Sequence, residues 1–130
     1  MNLLTTRASK DAERGSSVVS FSILAPVVIF MILAIVQVAI VDHVRHVATL
    51  AATAGAAEAA AFDGSSIDGQ LLAEAQLVGA SGWVENPTVT ASRNGTEATV
   101  SVSADAFQIL PFGNWRVQVD RTQPVERIQQ

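Results

Sequence analysis

The segment from Val18 to Val41 is 24 residues long and carries no charged side chain. As a helix it would extend for about 36 Å, more than the ~30 Å hydrocarbon core of a bilayer. A buried core helix would need a large surrounding protein, and the rest of this 130-residue chain is too short to supply one. The apolar part of a cleaved secretory signal normally runs for about 7–15 residues, which is shorter than this segment. The sequence therefore predicts a transmembrane helix over residues 16–41.

The charges flanking this helix predict its orientation. Arg7, Lys10 and Arg14 precede the apolar segment, whereas Arg45 is the only lysine or arginine within about 20 residues after it. By the positive-inside rule, residues 1–15 form a cytoplasmic leader and the C-terminal part lies outside the cytoplasm. The net charge of the chain is −4, which argues against a nucleic-acid partner.

An alanine-rich continuation of the helix is predicted over residues 42–62, because this stretch has no proline and alanine is the strongest helix former. Small residues recur one turn apart within it, and such spacing lets another backbone approach closely. These residues are Ala51, Ala52, Gly55, Ala56 and Ala59. Earlier in the helix, Pro26 removes one backbone hydrogen bond. The proline is either a tolerated kink or a weak point that melts when the helix leaves the bilayer.

The remaining chain predicts a small domain over residues 63–121. A short amphipathic helix is predicted over residues 66–80, which Ser65 or Ser66 could cap. The apolar residues that recur there at helical spacing are Ile67, Leu71, Leu72, Ala75 and Val78. Gly82 and Pro87 are expected to bracket a turn, and three later runs with a period of two indicate strands. Asn94-Gly95 separates the first two runs and predicts a hairpin. The polar residues 122–130 are expected to form a flexible tail. The fold class is therefore α+β: a long N-terminal transmembrane helix, then a short helix and a three-stranded antiparallel sheet.

The small domain has little core of its own, and the chain has no cysteine for a disulfide. We therefore expect the base of the long helix, or partner subunits, to complete the core.

The side chains that carry chemistry form no catalytic constellation. His43 and His46 lie beside Asp42, where interfacial polar residues are a better interpretation than a metal site. Four acids of the predicted strand region are expected to be solvated strand-edge charges, and they are Glu85, Glu97, Asp105 and Asp120. The sequence Asn94-Gly95-Thr96 matches the N-glycosylation pattern, but a turn explains it better. We expect no enzyme activity, cofactor, metal or small-molecule substrate.

The residues just before and inside the apolar segment carry a more specific motif. It reads Glu13-Arg14-Gly15-Ser16-Ser17-Val18-Val19-Ser20-Phe21, with Pro26 soon after. This stretch resembles the TadE-like family of pilin-related proteins from tight-adherence (Flp-type) pilus systems, and the resemblance covers about residues 13–50.

The resemblance implies cleavage after Gly15 by a prepilin peptidase, a membrane aspartyl protease. The processing residues would be Arg14, Gly15, Ser16 and Phe21, and the mature chain would have 115 residues. The family usually has a glutamate immediately before the aromatic residue, and this chain has Ser20. A serine can offer a neighbouring subunit's amine only a hydrogen bond, so this departure favours a minor or accessory subunit.

The function that follows from the resemblance is a non-enzymatic minor pilin or pseudopilin with a pilin-like fold, which contributes to assembly of a type IV pilus of the Flp type. The implied partners are the membrane, other pilin or pseudopilin subunits, the prepilin peptidase and the pilus assembly platform. The implied packing residues of the helix are Ser20, Pro26, Ala51, Ala52, Gly55, Ala56 and Ala59. The alternative is a single-pass, membrane-anchored module that binds a ligand or acts as a scaffold in the envelope.

Overall fold

A computed structural model describes the backbone of residues 2–128 and the side chains of residues 10–128. Met1 of the predicted leader and the last two residues of the predicted tail lie outside the described residues. The chain contains helix α1 (Asn2–Ala60), helix α2 (Ser66–Val78) and strands β1 (Val84–Arg93), β2 (Glu97–Ala106) and β3 (Arg116–Pro124). The predicted α+β class is confirmed.

The chain divides into two units, one up to Val36 and one from Gln37 onward. The first unit is a single stretch of α1, in which every large apolar side chain from Val18 to Val36 is exposed. Among the described residues, α1 is the one helix long and apolar enough to cross a membrane, as judged by its length and composition. The helix is thus suited to single-pass membrane anchoring. It begins well before Val18, because the leader contains neither proline nor glycine before Gly15.

The second unit consists of a three-stranded antiparallel sheet, in the order β1-β2-β3, with helices packed on one face. Alternate residues of β2 are buried, and the small and β-branched side chains of this strand fill the middle of the core. The helical side of the core comes from α2 and from the part of α1 between Ile40 and Ala56. The expectation that the base of the long helix completes the core is confirmed.

Two features of the sheet differ from the sequence interpretation. Strand β1 begins at Val84, before Pro87, because a register shift between Glu85 and Thr88 accommodates the proline and places Asn86 at a φ of 47°. Proline is tolerated there since β1 is an edge strand with a bulge. Strand β3 runs to Pro124, so the first residues of the expected tail are paired with β2.

The Asn94-Gly95 hairpin is present, but its turn is held by a side chain rather than by left-handed backbone. Within the described residues, only Asn86 and Gly113 have φ in the left-handed region. The Asn94 side-chain oxygen accepts hydrogen bonds from the amides of Thr96 and Glu97 and from the Thr96 hydroxyl. An Asx turn of this kind closes the hairpin without positive φ.

Helix α2 begins where expected, with Ser65 accepting a hydrogen bond from the amide of Asp68 as the N-cap. Its buried face is not the one that the apolar spacing predicted. Gly69, Ala73 and Leu77 are buried, while the larger Ile67 and Leu71 are exposed. The small residues face inward because α2 approaches α1 too closely for bulkier side chains.

The contact between Gly55 and Gly69 sets this close approach. A Cβ atom added to Gly69 would lie 2.5 Å from the carbonyl oxygen of Gly55 and 2.6 Å from the Cβ of Ala59. One added to Gly55 would lie 2.6 Å from the carbonyl oxygen of Gly69. Contact of backbone with backbone at this distance is possible only between glycines.

We predict that Gly69→Ala destabilises the globular unit, although glycine to alanine in a helix interior normally stabilises by about 1 kcal/mol. The added methyl group overpacks the contact, at a cost of roughly 1–3 kcal/mol. In thermal unfolding of the full chain in detergent, followed by circular dichroism, Tm should fall. Gly82→Ala is the matched control, since a Cβ at Gly82 meets nothing within 4 Å. An unchanged Tm for Gly69→Ala would show that the helices do not meet at this point.

Candidate functional site

The predicted processing junction lies on the exposed surface of α1. Arg14, Gly15 and Ser16 are exposed, as is Phe21, and a Cβ at Gly15 would meet nothing within 4 Å. The hydroxyl of Ser17 donates to the carbonyl of Glu13 at 2.9 Å, which adds a side-chain hydrogen bond across the junction. A peptidase that binds extended backbone would therefore have to unwind this turn. Glycine weakens a helix by roughly 1 kcal/mol relative to alanine, so the turn is easier to open at Gly15.

Ser20 and Pro26 lie on the apolar part of α1, which continues as a helix through the proline. Both side chains are exposed. The neighbouring Ser22 hydroxyl donates to the carbonyl of Val18 at 2.9 Å, one turn earlier, so its hydrogen is not directed toward the proline defect. The role of Ser20 and Pro26 in helix packing stays a prediction.

The small-residue stripe is buried within the globular unit. Its members Ala51, Ala52, Ala56 and Ala59 have no exposed surface, and Gly55 is also buried. These residues pack against α2 and the sheet of the same chain. The close approach that the spacing predicted does occur, but with α2 as the partner. While the unit is folded, a second subunit cannot reach these positions.

Gln37 is the feature that the sequence interpretation missed. It is the one buried polar residue of the described chain, with an exposed fraction of 0% inside the apolar segment. Its Nε2 donates to the carbonyl of Phe107 at 3.1 Å. Its Oε1 accepts from the amides of Ile109 at 2.8 Å and Leu110 at 3.3 Å. A lone amide side chain in an otherwise apolar run was the available signal, since such a group needs internal partners.

These three hydrogen bonds fasten the β2–β3 loop, residues 107–115, to α1. Within the loop, Gly113 adopts a φ of 99°, and the ring of Trp115 lies against it. The indole Nε1 of Trp115 donates to the carbonyl of Phe112 at 3.2 Å. The loop is therefore an ordered part of the unit, held from both sides by side-chain hydrogen bonds.

The candidate chemical residues remain dispersed. Asp42, His43 and His46 are exposed on α1, and the described residues contain no group of three potential ligands that could hold a metal ion. Glu85 lies opposite Asp105 in the β1–β2 register, but Asp105 also forms an ion pair with Arg116 at 3.3 Å. The other two of the four strand acids are exposed: Glu97 lies on β2 and Asp120 lies on β3.

We predict that Gln37→Leu loosens the β2–β3 loop, because the carbonyl of Phe107 and the amides of Ile109 and Leu110 lose their partner. Leaving a buried group unpaired costs about 1–3 kcal/mol, and about 1.4 kcal/mol corresponds to tenfold in an equilibrium constant. Amide hydrogen exchange of the full chain in detergent should speed up at Ile109 and Leu110 by roughly tenfold or more. Val38→Leu, at an exposed neighbouring position, should leave both rates unchanged. Equal protection in the two variants would contradict the role given to Gln37.

A comparison with protein families agrees with the motif at the processing junction. The TadE family model, described as TadE-like protein, matches residues 15–57. No curated protein and no solved structure is significantly similar to the chain. The match covers the junction at Gly15, the apolar helix and most of the small-residue stripe, and the family is a structural one associated with Tad (Flp-type) pili. Residues 15–57, about a third of the chain, therefore match the TadE-like family, the family that the N-terminal motif resembles.

Proposed function

We propose that this chain is a non-enzymatic minor pilin or pseudopilin that contributes to assembly of a Flp-type pilus. The observation that carries the proposal is the coincidence of the TadE match with the exposed apolar helix. Within the matched stretch, residues 18–36 carry the large apolar side chains that the folded chain leaves exposed. Such a surface needs lipid or other apolar helices around it.

The burial of the small-residue stripe narrows where the helix can pack in an assembly. Because Ala52, Gly55 and Ala56 are occupied by the chain's own core, contacts with other subunits would come from residues 18–36. Ser20 and Pro26 lie in that exposed part. Packing of the apolar helix before Gln37, in the membrane or in a filament, is thus the proposed structural role.

The proposed topology places the leader in the cytoplasm and the globular unit outside, in line with the basic residues before the apolar segment. The proposed partners are other pilin or pseudopilin subunits, the pilus assembly platform and a prepilin peptidase that cleaves after Gly15. Removal of the leader would leave an amine at Ser16, at the beginning of the apolar helix.

We predict that co-expression with a prepilin peptidase yields a mature chain that starts at Ser16, as read by intact mass and N-terminal sequencing. Gly15→Leu should block the cleavage, because a branched side chain obstructs the extended backbone that a protease binds. Ser17→Ala is the matched control. It removes the hydroxyl that bonds to Glu13 and should still be processed. An unprocessed N-terminus in the wild-type chain, with the peptidase active on another substrate, would exclude the processing step.

A second function, a membrane-anchored binding or scaffold module, is favoured by one observation. A largely apolar groove of about 320 Å³ lies between α2 and β1, and Val78 at its rim is 72% exposed. The groove is lined by Glu74, Leu77, Val78, Ser81, Val84, Pro87 and Val89.

Removing this protein from the cell by gene deletion distinguishes the two proposed functions. For a minor pilin, surface filaments counted by electron microscopy should fall and should return when the wild-type chain is restored. For a binding module, filament number should stay the same while the protein remains in the membrane fraction. The second result would contradict the leading proposal.

A further inference from the structure

The β2–β3 loop presents an unusual surface for a water-facing loop. Phe107, Ile109 and Phe112 are exposed by 41%, 37% and 54%, respectively. Trp83, which is 48% exposed, packs edge to face with Phe107 at a ring-centroid distance of 6.3 Å. From Ala106 to Trp115 the chain has no charged residue. We call these four exposed side chains the loop patch.

Several polar groups of the backbone beneath the loop patch are paired inside the chain. The amide of Phe107 donates to the carbonyl of Trp83 at 3.0 Å, and the amides of Ile109 and Leu110 donate to Gln37. The carbonyls of Leu110 and Phe112 accept from the side chains of Gln108 and Trp115. A non-helical backbone can lie near lipid only when its polar groups have such partners or reach water.

Gln37 fixes the level of the loop patch along α1. At 1.5 Å per residue, a hydrocarbon core of ~30 Å takes about 20 residues, so counting from Val18 its outer edge falls near residue 37. The hydrogen bonds from Gln37 hold the loop at that height, beside the last turn of the apolar segment. Asp42 and His43 follow on the exposed side of the helix, where headgroups and water begin. Aromatic side chains are enriched at this boundary.

We propose that the loop patch, held by Gln37, inserts into the headgroup–acyl boundary of the bilayer and forms a second membrane contact beside the transmembrane helix. The inference rests on the membrane insertion of α1 in the proposed function. Lipid fits the patch better than a protein partner, because protein interfaces carry roughly one hydrogen bond per 100–200 Å². The patch offers few free donors for such bonds, since the amides of Phe107, Ile109 and Leu110 are already in use.

The insertion would tie the globular unit to the membrane surface as long as the helix is in the bilayer. Extraction of the chain from the membrane would then have to remove both the helix and the loop patch from lipid. The cost of extraction would depend on Phe112 and Trp83 as well as on residues 18–36.

The test uses the absence of cysteine from the chain, which allows one environment-sensitive fluorophore to be placed at a time. Phe112→Cys reports on the patch, and Ile29→Cys reports on the middle of the apolar helix. Ser92→Cys is the control. Ser92 lies on β1 beside the hairpin, near the C-terminal end of α1 and away from Gln37. The labelled full-length chain is reconstituted in phosphatidylcholine vesicles that carry a nitroxide quencher, either near the headgroup or near the end of the acyl chain.

We expect the Phe112 probe to show blue-shifted emission and to lose more intensity with the shallow quencher than with the deep one. The Ile29 probe should lose more intensity with the deep quencher than with the shallow one. The Ser92 probe should lose no intensity with either quencher. Quenching at position 29 but not at position 112 would overturn the inference and leave membrane insertion intact. No quenching at either position would overturn both the loop-patch inference and the membrane insertion of α1. A blue-shifted but unquenched Phe112 probe would place position 112 in a protein contact, within the chain or with a second copy of it, and overturn the lipid contact.

A second measurement keeps all four side chains of the loop patch, although it removes the hydrogen bond from Trp115 to the carbonyl of Phe112. The chain has two tryptophans, so Trp115→Phe makes Trp83 the only tryptophan whose emission is recorded. Its emission should also be quenched more strongly by the shallow nitroxide. If Phe112→Cys fails to fold, as judged by circular dichroism, the Trp83 result decides, and an unquenched Trp83 would overturn the inference.

Discussion

The contact between Gly55 and Gly69 is the constraint on which the globular unit depends. It brings α2 against α1 so closely that a single methyl group would not fit, and it leaves the alanines of α1 covered by the sheet and α2. A domain of this size has too little apolar surface to form a stable core from the sheet and one short helix. The long helix therefore serves as the other half of the core, and helix and domain fold as one structure from Gln37 onward.

This arrangement divides the helix into two functional parts. Beyond Ile40 its inward face is buried in the chain's own core, and from Val18 to Val36 its large apolar side chains are all exposed. Gln37 marks the boundary, because a buried amide in an apolar run is stable only with partners, and the β2–β3 loop supplies three of them. The part before Gln37 is left to interact with lipid or with other helices, as expected of a membrane-anchored pilus component.

Much of this structure could be predicted from the sequence, and the failures share a physical cause. The apolar run, the hairpin and the Ser65 cap each depend on local rules that the sequence states directly. The buried face of α2 was predicted wrongly, because apolar periodicity ranks Ile67 and Leu71 above glycine, whereas close packing selects Gly69. The partner of the small-residue stripe and the role of Gln37 were missed for the same reason. Both depend on contacts between residues distant in the sequence. A local pattern can indicate that Gln37 needs a partner, but it does not identify residues 107–110 as that partner.

The central claim is that α1 changes from lipid-facing to core-forming near Gln37. Single cysteines placed along residues 18–60 of the full chain in lipid vesicles, and treated with a water-soluble thiol reagent, test it most directly. We predict uniformly low reactivity up to Val36, followed by a helical alternation in which Thr53 and Glu58 react while Ala52 and Ala56 do not. High reactivity within residues 18–36, or equal reactivity at Thr53 and Ala52, would contradict the account.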